Sequence, residues 1–364
     1  MKRFAILTSG GDAPGMNAAI RAATLLGVGK GAEVFGVMHG YEGLVAGELV
    51  PLLPKEVASI IRDGGTMLGS ARCLAFHERP VRDEARAHLA AAGIEGLVVI
   101  GGNGSLTGMQ AITDPAENTT GLKAIGLPAS IDNDVGVTRL AIGVDTAINT
   151  IVDACDKISD TASAHDRTFI VEVMGRDCGY LAMTSAIASA ANAVLFPEMD
   201  KSEDEIVDTV ARAVITAHRR EGRSKKVLVI KAEGVRITTD RLQELLDAKV
   251  KAELGHHVKT ETRVTVLGHV VRGGRPSALD RQIASRLANV AVQALLSGET
   301  RMMAAWLPPI GMPEGMVKPA GDPQCSLVDI DRVLTETRAM LDGSSPFVKW
   351  RKKVFQEVED VLAL

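Results

Sequence analysis

Short apolar runs alternate with amphipathic stretches along most of the chain. Arg3–Leu7, Gly96–Ile100, Leu122–Leu127, Phe169–Val173, Ala193–Phe196 and Lys226–Ile230 are rich in Leu, Val and Ile with little polar alternation. That pattern predicts parallel strands covered on both faces. Between them Met16–Leu26, Val81–Ala92, Asp145–Ser159, Glu203–Arg219, Thr239–Glu253 and Ala278–Leu296 repeat apolar positions at helical spacing. Met183–Phe196 reads as a buried helix running into a strand, since Ser and Asn break it and it is too short to span a bilayer. Strand–helix alternation of this kind predicts an α/β fold with mainly parallel sheets. Pro308–Pro323 is rich in Pro and Gly and reads as a loop. Asp329–Leu364 reads as two helices parted by Gly343-Ser344-Ser345-Pro346.

In such sheets ligands sit where loops leave the carboxyl ends of strands. The first strand is followed by Thr8-Ser9-Gly10-Gly11-Asp12-Ala13-Pro14-Gly15-Met16-Asn17, and Gly96–Ile100 by Gly101-Gly102-Asn103-Gly104-Ser105. Each couples small residues to a helix start, whose N–H groups and dipole suit phosphate. Neither carries the GKS or GKT of a Walker A loop, and a plain strand–helix turn would use the same residues. Leu122–Leu127 leads into Pro128-Ala129-Ser130-Ile131-Asp132-Asn133-Asp134. On extended chain Asp132 and Asp134 project to one side; one can take a proton while the other holds Mg²⁺, although an Asx turn uses the same spacing. Arg72, Arg167, Arg176, Arg263, Arg272 and His269 fall near loops, where arginine can grip phosphate oxygens.

Composition narrows the classes. A length of 364 residues suits two domains, with 46% hydrophobic and 24% charged residues. The net charge of -4 argues against a nucleic-acid coat or a membrane-surface binder. Cys73, Cys155, Cys178 and Cys325 form no CxxC pair and predict reduced thiols in a cytoplasmic protein. The apolar run at the start stops at Thr8-Ser9-Gly10-Gly11, too early for a signal peptide.

Taken in order, Gly10 through Asn17, Gly69-Ser70-Ala71-Arg72, Ile131-Asp132-Asn133-Asp134, Glu172-Val173-Met174-Gly175-Arg176, Glu233-Gly234 and Glu261 through Gly274 resemble the bacterial 6-phosphofructokinase family, over about four fifths of the chain. The resemblance implies two Rossmann-like α/β domains with the active site in the cleft between them. It places the nucleotide domain at 1–143 plus about 271–325, and the sugar-phosphate domain at 144–270 plus about 326–364. It implies transfer from ATP to O1 of fructose 6-phosphate, a glycolytic step, with Asp132 as base and Gly11, Arg72 and Arg176 as further catalytic residues. Gly11, Arg72, Cys73, Gly102, Asn103, Gly104, Ser105 and Gly108 would face the nucleotide, with Asn103 and Asp134 nearest Mg²⁺. Ser130, Asp132, Asp134, Met174, Gly175, Arg176 and Glu233 would hold the sugar, and Arg167, Arg263, His269 and Arg272 its 6-phosphate. Arg167 and Arg263 would come from a neighbouring subunit of a homotetramer.

The chain departs from the family at three places. Asn103 stands where Asp usually supports the metal, which should weaken Mg²⁺ binding. Ser130 replaces Thr and keeps the hydroxyl. Arg21 of the effector site is present, but Leu25, Ser159 and Ser224 replace basic residues, so ADP and phosphoenolpyruvate control should be lost or altered. Pyrophosphate-dependent members carry Asp at the place of Gly104 and Lys at the place of Ala129, so ATP is the expected donor. Pyrophosphate as donor, sedoheptulose 7-phosphate as acceptor, and a weakly active regulatory paralogue are the alternatives.

Overall fold

The computed structural model describes residues 1–220, 225–255, 261–313 and 315–362. Among them are twelve strands: β1 (Arg3–Ser9), β2 (Glu33–Val37), β3 (Leu49–Pro51), β4 (Gly96–Gly101), β5 (Lys123–Pro128), β6 (Thr168–Val173), β7 (Ala193–Leu195), β8 (Val227–Ala232), β9 (Thr262–Val266), β10 (Met302–Trp306), β11 (Lys318–Pro319) and β12 (Cys325–Asp329). The chain divides into two compact α/β units, residues 1–146 with 272–339 and residues 147–271 with 340–364.

The larger unit holds an eight-stranded sheet in the order β11-β12-β10-β5-β4-β1-β2-β3. Its central strands β10, β5, β4, β1 and β2 run parallel, while β3, β12 and β11 add antiparallel edges. Every residue of β4 is buried, as are all but the first of β1 and β5, which is why these segments lack polar alternation. Helices Met16–Gly29 and Ala278–Leu296 pack against each other in this unit. The strand β12 pairs with β10, and residues 326–339 cluster with the larger unit.

Asp280 fastens two segments of the larger unit. It is fully buried and accepts the Gly143 and Thr146 N–H groups at 2.8 and 2.7 Å and the Thr146 hydroxyl at 2.5 Å. Burial pushes its carboxyl above the ordinary value, and the bonds from Thr146 and Gly143 pull it back. Asp280→Ala would strand three buried donors. It should cost about 3 kcal/mol and lower Tm by about 5–10 °C, as measured by calorimetry.

The smaller unit holds a four-stranded sheet in the order β7-β8-β6-β9, parallel throughout. Helices Tyr180–Ala188, Glu203–Arg219 and Thr239–Leu254 belong to it. Ser202 caps the second of these through the N–H of Glu205, whose side chain returns a bond to the Ser202 N–H. The tail forms helices Ile330–Leu341 and Pro346–Leu362, as its pattern predicts. No helix among the described residues is long and apolar enough to cross a membrane. No two cysteines among the described residues form a disulfide.

Candidate active site

In the larger unit the last residues of three neighbouring strands are in register, Ser9 with Gly101 and Gly101 with Pro128. Neighbouring strands lie about 4.8 Å apart, so the loops after β1, β4 and β5 begin within about 10 Å of one another. β2 lies on one side of β1 and β4 on the other, so the gap between β1 and β4 is the switch point that α/β sheets use for ligands. Gly15, at φ 112°, ends the first loop in a left-handed conformation and starts helix Met16–Gly29 without a side-chain cap. Gly102 likewise starts helix Asn103–Ile112 with no side-chain cap. Such helix starts present N–H groups to an anion.

Among the described residues, no heavy atom beyond its own helix backbone and chain neighbours lies within 4 Å of where a Cβ on Gly104 would sit. The Ser105 hydroxyl is buried and has no hydrogen-bond partner among the described residues. Gly108 instead packs on the Tyr41 ring, whose hydroxyl donates to the Ser105 carbonyl at 2.7 Å. Arg72 is exposed on a loop tied to the end of β1, where the Thr8 hydroxyl donates to the Gly69 carbonyl at 2.8 Å and Ser70 donates to the Gly10 carbonyl at 2.5 Å. Cys73 follows and rests partly on the core. Arg272 also belongs here: it donates to the Asp12 carbonyl at 3.3 Å, and a Cβ on Gly11 would meet its guanidinium at 2.7 Å.

The segment after β5 corrects one expectation. Asp132 and Asp134 do not lie on extended chain. Residues 131–132 form a turn closed by the Asn133 N–H on the Ser130 carbonyl, and Asn133 has φ 51°. Asn tolerates this region, and here its buried amide fixes it, accepting from the Ala141 N–H and donating to the Arg139 carbonyl, both at 3.0 Å. Ser130 donates to Asp134 at 2.7 Å. Asn133 is therefore a positioning residue that the spacing argument overlooked; Asn between two Asp residues was the available signal.

The smaller unit repeats the arrangement. Val173 pairs with Ala232 at the ends of β6 and β8, and Glu172 with Val266 at the end of β9. Their loops carry Met174-Gly175-Arg176, Glu233-Gly234 and Gly268-His269. The Glu233 N–H donates to the Val173 carbonyl at 2.9 Å and the Gly234 N–H to the Gly175 carbonyl at 3.2 Å. A Cβ on Gly234 would fall 1.8 Å from the Arg176 carbonyl oxygen, so only glycine lets the two loops approach this closely. Met174 is buried, while Arg176, Glu233 and His269 are exposed.

Arg167 and Arg263 do not join this group. Arg167 precedes β6, and Arg263 pairs with Phe169 near the opposite end of the sheet. Six residues of β6 separate Arg167 from Met174, about 23 Å at strand rise. Both arginines share Glu261, Arg167 at 2.6 Å. Exposed pairs of this kind contribute about 0–1 kcal/mol and yield readily to a stronger anion. Of the effector positions, Arg21 donates to the Ala58 carbonyl at 3.3 Å, Leu25 and Ser159 are half-buried, and Ser224 lies outside the described residues.

Comparison with known proteins shows the family. A family model for phosphofructokinase matches residues 3–295, and the chain belongs to that family. It is 44% identical over 305 residues to the ATP-dependent 6-phosphofructokinase of Thermotoga neapolitana, covering 84% of this chain and 90% of that one. It is 46% identical over 300 residues to ATP-dependent 6-phosphofructokinase 1 of Clostridium perfringens, covering 82% and 88%. Among solved structures, Pichia pastoris phosphofructokinase in the T-state superposes over 98% of this chain with a TM-score of 0.83 and 32% identity. The Saccharomyces cerevisiae phosphofructokinase gives 0.79 at 32% identity over 98% of this chain. This chain spans 42% and 50% of the lengths of those two chains.

Proposed function

We propose that this chain is an ATP-dependent 6-phosphofructokinase: it transfers the γ-phosphoryl group of ATP to O1 of fructose 6-phosphate, giving fructose 1,6-bisphosphate and ADP in glycolysis. The observation that carries the reading is the in-register trio Ser9, Gly101 and Pro128. It sets two uncapped helix starts beside the turn that holds Asp132. The curated relatives named as ATP-dependent 6-phosphofructokinases support ATP and fructose 6-phosphate over the alternatives.

The larger unit takes the nucleotide. N–H groups of the Gly10–Gly15 loop and of helix Asn103–Ile112 receive its phosphates, and Arg72 and Gly11 stabilise charge on the transferring group. Asp132 accepts the proton of O1 as that oxygen attacks phosphorus and ADP leaves. The smaller unit takes the sugar phosphate through Met174, Gly175, Arg176, Glu233 and His269. Ser130, Asp134 and Arg272 complete the acceptor contacts from the larger unit. Arg167 and Arg263 serve the 6-phosphate of a neighbouring subunit in a homotetramer, a reading supported by their place at the far end of the smaller sheet. Cysteines outside any disulfide suit a cytoplasmic setting.

Mg²⁺ bound with ATP needs only one or two protein oxygens. Asn103 and Asp134, in the segments after β4 and β5, would supply a side-chain carbonyl and a carboxylate for it, and the ion would neutralise charge on the transferring phosphates. Asn103 offers the weaker oxygen. Asn103→Asp adds one charge near a divalent ion, about 1–2 kcal/mol at solvent-exposed distances, and should lower the half-saturating Mg²⁺ concentration about 5–30-fold. A Mg²⁺ titration at fixed ATP measures this, and an unchanged curve removes Asn103 from the metal's surroundings.

The reading as a whole is tested with purified protein by crossing ATP and pyrophosphate with fructose 6-phosphate and sedoheptulose 7-phosphate. The highest kcat/KM should belong to ATP with fructose 6-phosphate; a preference for any other combination replaces the reading.

A further inference from the structure

Lys231 is a charged residue in a strand whose six residues are all buried. Its side chain is 1% exposed. Opposite it in register on β6 stands Glu172, with Nζ 3.0 Å from Oε2. The same oxygen accepts the hydroxyl of Thr239, which opens helix Thr239–Leu254 and is itself buried. The loop that carries Glu233 and Gly234 runs between Lys231 and Thr239. One carboxylate therefore grips that loop at both ends. The Glu172 backbone carbonyl also accepts the Leu267 N–H at 2.9 Å, two residues before His269. Two residues beyond Glu172 its own strand becomes the Met174-Gly175-Arg176 loop.

We propose that Glu172, tied to Lys231 and Thr239, is a positioning residue that holds the three acceptor loops in their binding arrangement and so sets affinity for the sugar phosphate. The inference rests on the reading of these loops as the acceptor site. A buried ion pair adds little net stability, because desolvating both charges offsets their attraction. Its use here is geometric. A loop fixed at both ends has met its ordering cost before the ligand arrives, and a displacement of about 1 Å in a binding group is enough to weaken productive binding severely. Among the described residues the side chains of Lys231 and Thr239 bond to Glu172 and the Ala232 carbonyl, neither of them assigned to the nucleotide, so affinity for ATP is left alone.

The test compares Lys231→Met, Thr239→Val and the double variant Glu172→Gln/Lys231→Met, with Glu233→Ala as a reference. Each is assayed for KM of fructose 6-phosphate, KM of ATP, kcat and Tm. Lys231→Met should raise the fructose 6-phosphate KM about tenfold or more and Thr239→Val about 3–10-fold, with the ATP KM within about twofold. The double variant removes both charges; its Tm should return toward the parent while its fructose 6-phosphate KM stays raised. If Lys231→Met does not fold, Thr239→Val carries the test, because it leaves the ion pair in place. A KM that recovers together with Tm, or sugar and ATP KM values that rise in parallel, makes the network merely structural and overturns the proposal. A raised KM in Glu233→Ala with unchanged values in Lys231→Met and Thr239→Val overturns the tie alone. An unchanged KM in Glu233→Ala overturns the acceptor reading and the proposal with it.

Discussion

Asp132→Asn should lower kcat about 10²–10⁴-fold while changing the KM of fructose 6-phosphate by less than about threefold. The amide keeps the size of the side chain and loses the basicity needed to take the O1 proton. The turn should survive, because Asn133 holds it through the Arg139 carbonyl and the Ala141 N–H. Ser130 and Asp134 keep their mutual bond as well. The loss then belongs to the chemical step and not to a displaced loop. Steady-state kinetics decide: a variant with parental kcat, or one whose whole defect lies in KM, removes Asp132 from the role of base.

Gly104→Asp should raise the KM of ATP about 10²-fold with little change in the KM of fructose 6-phosphate. The position is exposed, and among the described residues a Cβ there meets nothing within 4 Å beyond its own helix backbone and chain neighbours, so the substitution fits without repacking. A carboxylate in the first turn of helix Asn103–Ile112 also favours the helix dipole by about 0.3–1 kcal/mol. Folding is thus preserved while a fixed negative charge faces the incoming phosphates, and like charges brought together at a binding face cost several kcal/mol. An unchanged ATP KM in titrations at saturating Mg²⁺ would move the phosphates away from this helix start.

The central strands were legible because β1, β4, β5, β6 and β8 are covered on both faces, and continuous apolar sequence is the signature of that burial. β2, β3 and β9 to β12 were not. They are at most five residues long, and β2 carries Gly36 as its fourth residue. The strand β9 sits at an edge of the smaller sheet with Arg263 and Val266 exposed, so its pattern imitates neither a buried strand nor an amphipathic helix. The loops after β1, β4, β5, β6 and β8 could be located because those strands are readable. Their conformations could not. The left-handed Asn133 depends on Arg139 and Ala141, and Arg272 meets Gly11 and Asp12 from far along the chain. Lys231 lies just past the predicted strand Lys226–Ile230, and its partner is fixed only by the register between β8 and β6.

The most direct test of the central claim is ³¹P NMR of the purified protein with fructose 6-phosphate, Mg²⁺ and either ATP or pyrophosphate. The account predicts that ATP is consumed to ADP in step with a new C1 phosphate resonance of fructose 1,6-bisphosphate, and that pyrophosphate yields none at a comparable rate. A bisphosphate formed from pyrophosphate in preference to ATP, or no C1 phosphate from either donor, would contradict it.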